Sequence, residues 1–280
     1  MPTTKPDGLY IASVEKAFRL FGAFGREQAD LSLSDLAKRT QMTLPNIQRL
    51  THTLTKLGYL VRDDRSKRYS LTPRTLDIGF RYLQASTLLD RAAPYLAELN
   101  RRTEETVNLT VLDGPEVVYI ARHRGFHSIG INMYIGARLP AFATGIGQAM
   151  LAFLPPREAL ARIDAVPRPA YTRYTITDRE LLLKKLQRVH KLGYALEDQE
   201  MFLGGISVAV PILGAEGAPL AAVNVAVPSS RFTATQAEQR FAQLVVETAR
   251  IVSGPVAQTR PQTARRGSKA TTRRVDSTLG

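Results

Sequence analysis

The sequence predicts an α+β protein with two domains, the first built from helices and a hairpin and the second from strands and helices. The chain has 280 residues, enough for two domains at roughly 150 residues each, and 44% of them are apolar and 22% charged, an ordinary globular composition. Apolar residues recur at three- and four-residue spacing in the first 60 positions and again before Ser253. Between these segments, short apolar runs alternate with polar residues, as in strands.

Five segments are predicted along the chain. They are a disordered N terminus (residues 1–9), a winged helix-turn-helix (10–72), a linker helix (73–89), an α+β domain (90–253) and a basic disordered tail (254–280). The tail is rich in Arg, Thr, Gln, Ser and Gly and has hardly any apolar residue to offset its ordering entropy. A solubilising extension explains this tail at least as well as a DNA-grasping arm does.

Composition excludes several classes of protein. The chain has no cysteine, which removes disulfides, thiolate nucleophiles and cysteine-ligated zinc sites. No apolar stretch of about 20 residues is free of proline, glycine and charge, and the first ten residues lack the apolar core of a secretory signal. We therefore expect a soluble, cytoplasmic protein that has no membrane partner.

The formal net charge of +13 is concentrated at the two ends of the chain. Residues 1–80 carry +5, residues 81–253 carry +3 and residues 254–280 carry +5. Dense positive charge attracts phosphate backbones and other anionic surfaces. The charge therefore favours a nucleic acid as a partner.

Two short helices are predicted before residue 41. The first follows Ser13, a good N-cap, and carries apolar residues at helical spacing from Val14 to Phe24. The second follows Ser32, whose hydroxyl can cap the helix while Asp35 reaches back to it. This second helix is short, about two turns.

A third helix is predicted from Thr43 to Gly58, with Pro45 in its first turn. At about 100° per residue its apolar stripe lies on one side and its polar and basic residues on the other. That outer face contains no acid, whereas an ordinary solvated face more often mixes charges of both signs. Amide, guanidinium, imidazole and hydroxyl groups suit base edges and phosphates in a major groove. The candidate DNA contacts on this helix are Asn46, Gln48, Arg49, His52 and Lys56.

A basic hairpin is predicted directly after the third helix. Two short alternating runs, residues 59–62 and 68–71, flank a polar turn at residues 63–67. Three helices followed by such a hairpin predict a winged helix-turn-helix, and a helical protein-interaction module is the less favoured alternative. The candidate DNA contacts on the wing are Arg65, Lys67 and Arg68.

This N-terminal segment resembles the DNA-binding domain of IclR-type bacterial transcriptional regulators. The similar motifs are Leu33-Ser-Asp-Leu-Ala-Lys-Arg-Thr-Gln-Met, Ile47-Gln-Arg-Leu and Leu57-Gly-Tyr-Leu. In the resemblance, Arg49 matches the arginine of the family's recognition helix. The chain departs from the family at Gln41, where glycine is usual, and at Pro45, where serine or threonine is common.

The linker helix is predicted over residues 75–89 and is weakened by Gly79. Its apolar side needs a partner. The same helix of a second subunit would place two recognition helices on two half-sites, as a homodimer or a dimer of dimers, but packing onto its own domain is equally compatible with the sequence. The apolar residues are Leu76, Phe80, Leu83 and Leu88.

The larger domain is predicted to combine strands with helices. The predicted strands are two arms of a hairpin that turns at 113–114, followed by residues 129–133, 194–198, 206–213 and 221–227. One helix is expected from Thr177, with Glu180 three residues on, and the last helix from Thr235, with Glu238 in the capping-box position.

Residues 89–253 resemble the effector-binding, GAF-like domain of the same family, so the resemblance covers roughly residues 10–253. The matching motifs are Val111-Leu-Asp-Gly, Arg138-Leu-Pro-Ala-Phe-Ala-Thr-Gly-Ile-Gly-Gln-Ala-Met-Leu-Ala, Gly193-Tyr-Ala-Leu-Glu-Asp, Gly205-Ile-Ser-Val-Ala-Val-Pro and Ala222-Val-Asn-Val. The resemblance implies a transcriptional repressor or activator whose binding to a double-stranded DNA operator is controlled by a small organic acid. Residues 71–124 look most similar to the branch that responds to aromatic acids such as protocatechuate or hydroxybenzoate.

A candidate effector site lies where a loop enters a helix at Gly145 and Gly147. Backbone N–H groups at a helix N terminus bind carboxylates, and glycine lets a ligand approach, although the residues alone are more typical of a plain turn. The resemblance assigns this spot to effector contact. The effector contacts that it implies are Gly145, Ile146, Gly147, Asp198, Ser207, Asn224 and Ala226.

Family members with small-acid effectors carry serines where this chain has Asn224 and Ala226, which implies a different effector. Arg122, His123 and Arg124 follow a predicted strand and could neutralise an acidic effector, but exposed basic residues at a strand end are more often solvated.

No catalytic or cofactor motif is found in the sequence. There is no Gly-x-Ser-x-Gly motif and no P-loop, and His123 and His127 are separated by Gly125, which breaks helical presentation of a metal site. Glu197, Asp198 and Glu200 are interpreted as turn and pocket-rim carboxylates. We therefore expect no enzyme, no metal and no cofactor. The alternatives are an enzyme acting on a small acid with an accessory DNA-binding domain, and a structural DNA binder.

Overall fold

The computed structural model describes residues 9–25, 28–126 and 133–254. The chain divides into two compact units, with the boundary between Arg91 and Ala92. The first unit is helical with a small sheet, and the second combines a larger sheet with helices, so the predicted α+β fold is confirmed. Across these described ranges, no helix is both long enough and apolar enough to cross a lipid bilayer.

The first unit contains three helices and a three-stranded sheet. Its elements are α1 (Ala12–Phe21), β1 (Asp30–Leu31), α2 (Leu33–Thr40), α3 (Leu44–Lys56), β2 (Leu60–Arg62) and β3 (Tyr69–Leu71). Strand β3 lies between β1 and β2, antiparallel to both. Buried side chains from the helices and strands meet in one core that includes Leu20, Leu36, Ile47 and Leu60. This is the predicted winged helix-turn-helix, with β2 and β3 as its wing. Strand β1 was not predicted, since two residues are too few to show a period.

The start of α2 follows the predicted side-chain chemistry, whereas the start of α1 does not. Ser32 Oγ accepts from the N–H of Asp35 at 3.1 Å, and Asp35 Oδ2 accepts from the N–H of Ser32 at 3.0 Å. The N-cap of α1 is Ile11 rather than Ser13, because the N–H of Val14 already donates to the Ile11 carbonyl at 3.0 Å. The first turn of α1 therefore closes two residues before the predicted cap.

The turn between α2 and α3 needs a left-handed residue. Gln41 has φ = 56° there and caps α2. Glycine reaches this conformation without a Cβ clash, while another residue is destabilised by about 1–2 kcal/mol. The physical demand of this turn therefore accounts for the glycine that the family usually has at this position.

The predicted linker helix is interrupted. After a 3-10 turn at Pro73–Thr75, α4 spans Leu76–Gln84 and α5 spans Thr87–Thr103. Ser86 lies in the break, and its Oγ accepts from the N–H of Leu89 at 3.2 Å, which starts a new helix. Leu88, predicted on the linker stripe, therefore belongs to α5.

The second unit has a six-stranded antiparallel sheet. Its further elements are β4 (Thr106–Asp113), β5 (Glu116–His123), β6 (Arg138–Pro140), α6 (Gly145–Leu151), α7 (Pro156–Asp164), α8 (Arg179–Leu192), β7 (Ala195–Asp198), β8 (Gly205–Leu213), β9 (Pro219–Pro228) and α9 (Ala234–Ser253). The strand order is β6-β5-β4-β9-β8-β7. Consecutive residues of β8 are buried on both faces of the sheet, because both α6 and α9 pack against it.

Two predicted helix caps in the second unit are wrong by one or two residues. The cap of α8 is Asp178 rather than Thr177, since the Asp178 carboxylate accepts from the N–H of Leu181 at 2.8 Å. The capping box of α9 is Thr233 with Gln236, not Thr235 with Glu238. The sequence allows either capping box for α9, because Thr233 and Thr235 each have an amide or an acid three residues on.

Some predicted segments lie outside the described residues, and two observed elements were not predicted. The predicted strand at 129–133 lies outside the described residues except for its last residue. The predicted disordered segments, 1–9 and 254–280, each have one residue inside the described ranges and the rest outside them. Strand β6 and helix α7 were not predicted.

Candidate DNA-binding surface and ligand cavity

Helix α3 presents a basic face to solvent. Gln48, Arg49, His52 and Lys56 are exposed and Asn46 is half-buried, while the opposite side of the helix is buried in the core. No acidic residue occurs between Asp35 and Asp63 in the sequence, so no carboxylate from this stretch offsets the cations of the face. A convex helix with this charge and these donors fits a DNA major groove.

The wing projects two further cations. Its tip is folded by Asp63, whose Oδ1 accepts from the backbone N–H groups of Arg65 at 3.1 Å and Ser66 at 2.6 Å. Lys67 adopts a left-handed conformation with φ = 60°. Arg65 and Lys67 are both exposed, as a phosphate or minor-groove contact requires.

Arg68, which was also predicted to contact DNA, makes contacts inside the domain. Its guanidinium donates to Asp35 Oδ2 at 3.1 Å and to the Asp30 carbonyl at 3.0 Å, and it pairs with the Asp30 carboxylate at 3.2 Å. These contacts tie β3 to β1 and to the start of α2. Nε and Nη2 of Arg68 are therefore engaged inside the domain, and its contact with DNA stays a prediction.

A cavity of about 480 Å³ lies in the second unit, between the sheet and the start of α6. Five of the seven predicted effector residues line it, namely Gly145, Ile146, Ser207, Asn224 and Ala226. Asn108 and Tyr119 also line the cavity and were not predicted. Arg122 lines it too, although the sequence favoured a solvated arginine at the end of a strand. The sequence signal of Asn108 is weak, because it alternates with Val107 and Leu109 as a solvent-facing residue of a strand does, although the structure buries it.

Gly147 does not line the cavity. Its N–H donates to Thr144 Oγ1 at 3.2 Å, and a Cβ at this position would lie 2.1 Å from the Ala141 carbonyl oxygen. The glycine is therefore required by close packing within the protein. At Gly145, by contrast, a Cβ would lie 3.0 Å from Glu197 Cβ and 3.2 Å from Ser207 Oγ, in the cavity wall.

The carboxylate that lines the cavity is Glu197 rather than Asp198. Side chains of a strand alternate between the two faces of the sheet, and in β7 Glu197 pairs with Ser207 of the cavity wall. Asp198 is exposed and does not line the cavity. The predicted contact was therefore one residue away from the side chain with access to a ligand.

Glu197 is held in a buried polar cluster. Its Oε1 accepts from the backbone N–H groups of Glu200 at 2.6 Å and Met201 at 3.2 Å. Glu200 forms an ion pair with Lys185 and accepts from Gln148 Nε2 at 2.8 Å. Burial, reinforced by the charge of Glu200, raises the pKa of Glu197 from 4.5 to about 8. Near neutral pH the cavity therefore contains a protonated carboxyl group.

Replacing Glu197 with glutamine should remove a pH-dependent loss of stability. Below pH 4.5 the carboxyl group is protonated in both the folded and the unfolded protein, whereas between pH 4.5 and about 8 only the folded protein keeps the proton. The free energy of unfolding of the wild type therefore falls through this window relative to Glu197→Gln. Thermal melting at pH 5 and pH 9 measures the difference.

The matched control for this experiment is Asp198→Asn, which removes an exposed carboxylate from the same strand. We expect the melting temperature of Glu197→Gln minus that of the wild type to rise from pH 5 to pH 9, and the control to show no such trend. A constant difference for Glu197→Gln would contradict the raised pKa.

Within the ranges that the structure describes, no cluster of three or more His, Asp or Glu side chains could hold a metal ion.

Two sequence families match the chain. The family "Bacterial transcriptional regulator IclR C-terminal" matches residues 80–254, and "IclR helix-turn-helix domain" matches residues 13–64. The first match spans the unit that contains the cavity, and the second spans the three helices and the first wing strand of the other unit.

Similar proteins span most of the chain. It is 34% identical over 252 residues to the Pca regulon regulatory protein of Pseudomonas putida, covering 89% of this chain and 84% of that protein. It is 34% identical over 227 residues to the p-hydroxybenzoate hydroxylase transcriptional activator of Acinetobacter baylyi, covering 79% and 83%. The solved structure of Thermotoga maritima IclR matches with a TM-score of 0.69 and 29% identity, covering 87% of this chain and 98% of that one.

Proposed function

Since the chain belongs to the IclR family of bacterial transcriptional regulators, we propose that it binds an operator through α3 and the wing and that a small acid in the cavity controls this binding. The protein is a DNA-binding transcriptional regulator and not an enzyme. The observation that carries the proposal is the acid-free outer face of α3 on a winged helix-turn-helix, combined in one chain with a cavity in a separate unit. A purely structural DNA binder would leave that cavity without a role.

In this proposal the DNA contacts have different tasks. Gln48 and Arg49, exposed on α3, read base edges in the major groove, with Asn46, His52 and Lys56 as flanking contacts. Arg65 and Lys67 on the wing contact phosphate or the minor groove.

The protein acts as a homodimer, or as a dimer of dimers, on a near-palindromic operator. Helix α4 supports this, because Leu76 and Phe80 are 71% and 58% exposed and Ile78 and Tyr82 are at least half-exposed. Apolar side chains at this density on one short helix favour a protein partner, and a second copy would place two recognition helices on two half-sites.

The effector is an aromatic carboxylate. The similar proteins from Pseudomonas putida and Acinetobacter baylyi regulate the pca regulon and p-hydroxybenzoate hydroxylase, which favours an aromatic acid. The cavity has a volume typical of small-molecule sites, and it combines apolar walls with a few polar groups. The carboxylate lies near Gly145, Ile146 and Ser207, where the first N–H groups of α6 have no acceptor within the helix. The family positions Gly147 and Asp198 lie outside this cavity.

Replacing Gly145 with valine should abolish the response to 4-hydroxybenzoate and leave effector-free operator binding nearly unchanged. The added side chain enters the cavity wall between Glu197 and Ser207. Calorimetry with 4-hydroxybenzoate and protocatechuate measures the effector affinity, and footprinting on operator DNA measures the response.

Thermal melting of Gly145→Val provides the control for folding, and Gly145→Ala, which adds one carbon, should give an intermediate loss of affinity. Undiminished affinity of a folded Gly145→Val protein would place the effector site elsewhere.

A further inference from the structure

Four polar side chains form a hydrogen-bonded row along the cavity wall. Arg122 Nη1 donates to Asn108 Oδ1 at 3.0 Å, Asn108 Nδ2 donates to Asn224 Oδ1 at 2.9 Å, and Asn224 Nδ2 donates to Ser207 Oγ at 2.7 Å. The row crosses β5, β4, β9 and β8, four neighbouring strands of the sheet. All four residues line the cavity.

The arginine fixes the direction of every bond in the row. A guanidinium has only donors, so Asn108 must turn its carbonyl oxygen towards Arg122 and its NH₂ towards Asn224. Asn224 must then turn its own oxygen to Asn108 and its NH₂ to Ser207. An asparagine alone would allow either orientation, but here the arginine at one end decides it.

At the other end of the row, Ser207 Oγ accepts a hydrogen bond from Asn224. The hydroxyl hydrogen of Ser207 is therefore available for donation to another group. In the described part of the chain, no protein acceptor for that proton is found. Asn108, Asn224 and Ser207 are all buried, so reversing a single member would leave buried polar groups unpaired. The cavity wall beside Gly145 therefore presents an O–H donor.

We propose that Arg122 is a positioning residue that acts through Asn108 and Asn224 to make Ser207 a hydrogen-bond donor, so that the cavity selects ligands with an acceptor group at Ser207. This inference rests on the proposed effector function of the cavity. It assigns Arg122 a role that does not depend on direct contact with the effector carboxylate.

The variant Asn108→Asp should reverse the row while keeping Arg122. A carboxylate has only acceptors, so Asp at this position would accept from both Arg122 and the NH₂ of Asn224. Asn224 would then turn its oxygen to Ser207, which would donate to it and present lone pairs to the cavity. Thr110→Val is the matched control, since Thr110 is buried in the same strand and is not a member of the row.

Two neutral probes separate this reversal from the added negative charge. 4-Hydroxyacetophenone offers only an acceptor in place of the carboxylate, whereas 4-hydroxybenzyl alcohol can donate or accept. In Asn108→Asp we expect the affinity for the ketone to fall about tenfold relative to the alcohol, because an acceptor would face an acceptor. The ratio should stay at the wild-type value in Thr110→Val.

A second measurement needs no ligand. In NMR spectra of the full chain with labelled asparagine, the side-chain NH₂ of Asn224 should show contacts to the Ser207 β-protons in the wild type and lose them in Asn108→Asp. If Asn108→Asp does not fold, Arg122→Met should show both Asn224 orientations and Arg122→Lys only that of the wild type.

An unchanged probe ratio or an unchanged Asn224 orientation in folded Asn108→Asp would overturn the proposal. The NMR contacts could change as expected while neither probe nor 4-hydroxybenzoate binds the wild type. That result would support the orientation of the hydrogen-bonded row but would reject both ligand selection by Ser207 and the aromatic effector.

Discussion

Replacing Arg49 with alanine is expected to weaken binding to a specific operator by about 1–3 kcal/mol, or roughly 5- to 150-fold. The guanidinium is exposed at the centre of the acid-free face of α3 and can donate to two acceptors on one base. The operator is found by footprinting the DNA that flanks the protein's own gene, and the affinity is measured by fluorescence anisotropy at fixed salt concentration.

The comparison variants separate base contact from general charge. Arg250→Ala removes an exposed cation from α9 and should leave operator affinity unchanged. Lys67→Ala on the wing should weaken binding to operator DNA and to nonspecific DNA about equally. It should also lower the salt dependence of the affinity, as loss of a phosphate contact does. Unchanged operator affinity in a folded Arg49→Ala protein would contradict the proposal that Arg49 on α3 contacts a base.

Replacing Phe80 with glutamate is expected to convert the dimer to a monomer and to weaken operator binding on the order of 100-fold. An unpaired carboxylate buried in an apolar interface is destabilised by several kcal/mol, and loss of the dimer removes one of two half-site contacts. Sedimentation at micromolar concentration, with and without operator DNA, measures the assembly.

Gln187→Glu is the matched control, because it adds the same charge at an exposed position of α8, outside α4. It should sediment like the wild type. A wild-type monomer under all these conditions, or a stable Phe80→Glu dimer, would exclude dimerisation through α4.

The sequence alone determined the features that a few neighbouring residues encode. The capping box of Ser32 and Asp35 and the two-sided pattern of α3 were predictable because each depends on spacing within one or two turns. For the same reason the errors at helix starts were small, such as Asp178 in place of Thr177.

Only the tertiary structure decided which side chains share the cavity. Asn108 and Asn224 are 116 positions apart, and their hydrogen bond depends on the register of β4 with β9, which no local pattern encodes. Strand geometry also decided that Glu197 lines the cavity and the predicted Asp198 does not, since neighbouring residues of a strand point to opposite faces of the sheet. Local spacing therefore determined the helices and the charge of the outer face of α3, while strand pairing determined which side chains meet in the cavity.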